Sequence, residues 1–110
     1  MTRATAILVL ILAATLEAGG DALVRHGLHA RAGWHRLGLF GLAAIVLFAY
    51  GWTVNAPPWD FGRLLGLYVV SFFLIAQAVS WVFFKQTPST GILIGGSLIV
   101  AGGFVISLTK

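Results

Sequence analysis

Apolar residues fill this chain in four long blocks: Ala4 to Val24, Leu37 to Ala56, Gly62 to Phe84 and Ser89 to Thr109. Each has about the 20 residues that a helix needs to cross a hydrocarbon core of about 30 Å. Polar residues gather between the blocks: the basic stretch RHGLHARAGWHR from Arg25 to Arg36, the turn Pro57-Pro58-Trp59-Asp60, and Lys85-Gln86. Two successive prolines cannot continue a helical hydrogen-bond ladder, so the second block must end there. The pattern predicts an all-α membrane protein of four transmembrane helices forming one domain over residues 1–110.

Composition agrees with that reading. Hydrophobic residues make up 59% of the 110 positions and charged residues 9%, whereas a water-soluble domain typically carries about a quarter charged residues. Lipid is the solvent that such a surface requires. Met1-Thr2-Arg3 ahead of an apolar block could open a signal peptide, but the chain begins at Met1 with the block attached, and a retained helix is expected. Without cysteine there is neither a disulfide framework nor a thiolate metal site. The formal net charge of +4 belongs beside anionic lipid headgroups, and no nucleic-acid partner is expected.

Four helices put both termini on one side. Arg3, Arg63 and Lys110 fall on that side, and Arg25, Arg31, Arg36 and Lys85 on the other. So small a bias permits insertion in both orientations, and with it an antiparallel dimer of identical chains. The competing reading is that the three arginines of one loop fix a single orientation.

The first block holds the feature that needs explaining. Glu17 lies inside it, one of only three acidic residues in the chain, at a depth where a charge costs roughly 2.5–3.5 kcal/mol on insertion scales. Asp21 follows one turn later on the same face. The helical rise sets Glu17 about 5 Å and Asp21 about 10 Å from the midplane. Glu17 has no basic residue at its depth, while Asp21 could simply pair with Arg25 at the helix end. Gly19 and Gly20 leave room for a helix or a substrate to approach the backbone.

Elsewhere the second block is nearly featureless, with Tyr50 and Trp52 expected in the aromatic belt and contact with a substrate as the alternative. His26, His29 and His35 have no carboxylate or thiolate among them, so an interfacial role is expected and no metal or cofactor. In the third block Tyr68 and Ser71 share one face, and Gln77, Ser80 and Trp81 lie nearly opposite; Tyr68 is the cavity candidate. In the fourth, Gly91 and Gly95 form a small-xxx-small pair. Gly95 and Gly102, like Gly96 and Gly103, repeat at seven, a pattern expected to mediate dimerisation. No nucleophile–base pair or phosphate-binding loop suggests an enzyme.

With these residues placed, the chain resembles the small multidrug resistance family, four-helix proton-coupled exporters of cationic compounds that act as antiparallel dimers in the bacterial inner membrane. Glu17, Gly20 and Arg25 match its first-helix pattern. Ser80-Trp81-Val82-Phe83-Phe84-Lys85-Gln86 matches the stretch that ends its third helix, and Gly95 through Ala101-Gly102 its fourth. Gly62-Arg63 with Tyr68 is also similar to YnfA-like relatives of that family. The helix 3 bend Ser-Gly-x-Gly of typical drug exporters is absent; Leu65, Tyr68, Val69, Val70 and Phe72 stand in that region.

The resemblance implies a proton-coupled antiporter of small hydrophobic or guanidinium-like cations. Glu17 would carry the proton or the cation, Tyr68 would stack on the cation, and Asp21, Gly20 and Ser71 would complete the site. Gly91, Gly95, Gly102 and Gly103 would form the homodimer interface. The alternative is a subunit or scaffold without its own transport cycle, as half of a heterodimer or a lipid-flipping accessory, which the missing helix 3 glycines favour.

Overall fold

The computed structural model describes residues 2–108. It contains four helices: α1 (Arg3–His29), α2 (Trp34–Val54), α3 (Phe61–Phe84) and α4 (Thr90–Leu108). All four are long and apolar enough to cross a membrane. The expected charge at Lys110 and the last residue of the fourth block, Thr109, lie outside the described residues.

Local chemistry sets the helix ends. The Thr2 hydroxyl accepts the Thr5 amide at 3.1 Å and starts α1. α1 then runs five residues past its apolar block, through Arg25 to His29, because nothing there breaks a helix. The supposed connector from Arg25 to Arg36 is therefore mostly helix, and only residues 30–33 link α1 to α2. Gly33 makes that link at φ +130°, a conformation closed to other residues without strain. The Asn55 side chain donates to the Gly51 carbonyl at 2.8 Å where α2 stops before the prolines.

α3 ends with Lys85 in the left-handed region, and the Lys85 and Gln86 amides both donate to the Ser80 carbonyl. Ser89 opens α4 by accepting the Ile92 amide at 3.2 Å. Outward-facing hydroxyls satisfy themselves on their own helix: Thr15 donates to the Ile11 carbonyl at 2.9 Å and Ser97 to the Leu93 carbonyl at 2.8 Å. In hydrocarbon no water would do this for them.

α1 is the hub. It packs against α2 on one side and α3 on the other, while α4 packs mainly on α3. Its buried positions are nearly all small, Ala6, Ala13, Ala14, Ala18, Gly20 and Gly27 besides Leu10, which lets two neighbours come close at once. The bundle is a slab of 50 × 34 × 19 Å, its shortest dimension about two helix diameters. Its core joins Leu10, Ala13 and Ala14 of α1 to Val54, Leu64 and Tyr68. Phe48, Leu98 and Phe104 stand outward instead, as side chains do where lipid is the solvent.

Two glycine notches fix how α1 meets α2. A Cβ on Gly20 would lie 2.5 Å from Leu47 Cδ2, and one on Gly27 would lie 2.5 Å from the Phe40 ring. Seven residues forward on α1 match seven backward on α2, so the helices run antiparallel in a defined register. Continued outward by three residues, that register sets Tyr50 level with Glu17.

The expected dimer glycines of α4 divide between two fates. Gly103 is buried beneath Val70, and Gly96, on the same face, lies beneath Phe73. Gly103 is therefore used for packing on α3 within the chain, since α4 needs close approach to hold its one firm neighbour. Gly95 and Gly102 have no side chain near them, and Gly91 lies in the first turn beside Ser89.

Candidate functional site

Glu17 is half-buried where α1, α2 and α3 converge. The Tyr68 hydroxyl of α3 donates to Glu17 Oε2 at 3.0 Å. Tyr68 itself is only 5% exposed, so the bond is held by packing and is not a chance surface contact. Its ring lies 5.6 Å from Tyr50 and 6.1 Å from Phe72, forming an aromatic wall from α2 and α3 beside the carboxylate. The Tyr50 hydroxyl is an electrostatic neighbour of both Glu17 and Tyr68.

Among the described residues no lysine or arginine pairs with Glu17. An unpaired carboxylate beside aromatic faces is a setting of the kind that attracts organic cations.

Asp21 stands one turn farther along α1 and is exposed, close enough for its charge to interact with that of Glu17. It lines a cleft of about 270 Å³ between α1 and α3, together with Arg25 and Phe84. Arg25 does not close a pair with Asp21; its guanidinium lies 5.3 Å from the centre of the Phe84 ring. His26 stacks on the same ring at 5.4 Å.

Two expected site residues are elsewhere. Gly20 lies under Leu47 and serves the contact of α1 with α2; no room remains there for substrate. Ser71 lines a separate groove with Leu67, Val70 and Phe104, facing α4. Three residues of helix rotate a side chain by about 60° from Tyr68, enough to move it into the next groove. The apparent shared face did not survive packing.

The apolar pattern reads Tyr50 first as a belt residue and only second as a contact of the site; the antiparallel register brings it beside Glu17. The spacing of Gly20 and Gly27 carries that register, although it becomes readable only once Leu47 and Phe40 are known to fill the notches.

The comparisons with known proteins agree in one direction. A "UPF0060 membrane protein" of Herpetosiphon aurantiacus is 33% identical over 105 residues, covering 92% of this chain and 91% of the relative. One from Rhodococcus erythropolis is 37% identical over 81 residues, 74% of this chain and 71% of its own length. One from an Arthrobacter species is 34% identical over 108 residues, 96% and 92% of the two chains. No protein-family model and no solved structure matches the chain. Relatives this similar along nearly their whole length, together with four membrane-length helices, show that the chain belongs to the UPF0060 membrane protein family of bacteria.

Proposed function

We propose that this protein is a proton-coupled antiporter that exports small hydrophobic or guanidinium-like cations through an antiparallel homodimer. The observation that carries the reading is the half-buried Glu17 carboxylate, hydrogen-bonded by Tyr68, walled by aromatic rings and unpaired with any basic residue among those described. Such a group binds a proton and a cation in competition, which is the minimum requirement for exchanging one against the other. Tyr68 holds the carboxylate by its hydroxyl, and the less buried Tyr50 ring beside it would face an organic cation.

Alternating exposure of the site to the two membrane faces would complete the cycle. A second copy would use the open side of α4, where Gly95 and Gly102 meet nothing within the chain. The nearly even distribution of basic residues at the two ends supports the dual insertion that an antiparallel pair requires.

The test is proton release from the purified protein on addition of a guanidinium compound, measured with a pH-sensitive dye in weak buffer. Release is expected from the wild type and none from Glu17→Gln. Equal release from both would refute the exchange.

A further inference from the structure

The cleft between the far ends of α1 and α3 has a composition unlike the rest of the helix surfaces. It brings together Asp21, Arg25, Gln77, Ser80, Phe84 and Gln86 in about 270 Å³. The Ser80 hydroxyl is within 3.2 Å of Gln86 Oε1, which holds that side chain at the rim. The lining also includes Phe72, whose ring stacks on Tyr68 at 6.1 Å. That ring joins the cleft to the aromatic wall of the Glu17 site, while the cleft itself carries amides, a hydroxyl and a carboxylate.

Arg25 occupies this cleft in an informative way. A guanidinium on a flexible chain lies 5.3 Å from the centre of the Phe84 ring, in the arrangement by which aromatic faces hold organic cations. Asp21 has no ion-pair partner among the described residues. The protein's own side chain thus occupies a position that suits a free cation of the same shape. Arginine can also leave it easily, because its long stem lets the head reach the phosphates at the membrane surface.

We propose that this cleft is an outer cation-binding site, in which an arriving planar cation displaces Arg25 from Phe84 and faces Asp21 before reaching Glu17. Pockets for drug-sized molecules span roughly 300–1,000 Å³, so an open cleft of about 270 Å³ is best filled by a cation with a single ring or smaller. The site deepens the antiport reading by giving the substrate a place to dock, and it is measurable by binding alone.

The experiment uses the full chain in nanodiscs, with phenylguanidinium as the probe and phenylurea as its uncharged counterpart, titrated calorimetrically at low salt. Glu17→Gln removes the inner site and isolates the outer one. In that background phenylguanidinium binding is expected to remain and phenylurea not to bind.

Adding Phe84→Leu should abolish the remaining binding, while Phe84→Tyr, which keeps the ring, should preserve it. Adding Asp21→Asn should weaken it by about three- to fivefold. Adding Arg25→Gln should tighten it by about threefold, because no resident cation then has to leave the ring. Circular dichroism on each variant checks that the helices remain.

The opposite signs for Arg25→Gln and Phe84→Leu are the decisive result. A purely structural latch between the two residues predicts losses in both. Absent binding in the Glu17→Gln background, or weaker or unchanged binding in Arg25→Gln, overturns the proposal. If proton release survives Glu17→Gln, the antiport reading falls while this binding result still decides the outer site.

Discussion

α1 and α4 are both glycine-bearing apolar helices, yet the fold uses them in opposite ways. α1 turns most of its small residues inward, Gly19 excepted: Gly20 and Gly27 receive Leu47 and Phe40, and Ala13 and Ala14 sit in the core. α4 commits only one face, with Gly96 and Gly103 on α3, and leaves Gly95 and Gly102 open. Small residues announce that something will come close, but not what. The helix in the middle of the slab spends its notches within the chain, and the helix at its edge retains one set for whatever lies beyond.

That contrast can be broken most forcefully at adjacent glycines. Gly103→Val sets a branched side chain against Val70, itself β-branched and confined to one rotamer in a helix. Overpacking of this kind costs about 1–3 kcal/mol, and a lowered unfolding midpoint in detergent is expected. Gly102→Val meets open space, so the fold of the single chain should be unchanged within about 0.5 kcal/mol. A similar loss in both variants would mean that the two faces of α4 are not distinct. Cross-linking of wild type and Gly102→Val in liposomes then reads the open face separately: the proposed dimer is expected in the first and its loss in the second.

A second comparison sets Tyr68 against Tyr50 at the Glu17 site. Tyr68→Phe removes the 3.0 Å bond to the carboxylate, and hydrogen bonds to charged groups are worth about 1.5–3 kcal/mol. Binding of a guanidinium probe should weaken by roughly tenfold or more. Tyr50→Phe keeps the aromatic wall and removes only a neighbouring hydroxyl, so a loss of about two- to fivefold is expected, in the range of a neutral hydrogen bond. Equal losses would show that the two rings hold the carboxylate alike. Ser71→Ala belongs at the small end: with Ser71 facing the α4 groove, binding at Glu17 should be unchanged, and a tenfold loss would return that residue to the site.

Some of this was legible in the residues alone. Hydropathy located four spans to within a few residues at most ends, because lipid imposes a length that the sequence has to meet. The exception is instructive: α1 continues to His29 because hydropathy marks where lipid ends, and helices end only where a breaker or a cap ends them. Glu17 was legible for a similar reason, since burial in hydrocarbon makes one charge conspicuous among apolar residues. Tyr50 was not, because an aromatic near a helix end resembles an interfacial anchor unless the neighbouring helix's register is known.

By itself, then, the order of residues determined the number of spans, the carboxylate inside the first, and the glycines that make close crossings possible. These follow from transfer energies and backbone geometry, which each segment obeys without reference to the others. Only the tertiary structure decided which notch receives which side chain, that Tyr68 and Tyr50 converge on Glu17 while Gly20 and Ser71 turn away, and that Arg25 rests on Phe84. Those outcomes depend on the rotation and register of one helix against another. Side-chain shape across the interface fixes both, and no single segment contains that shape.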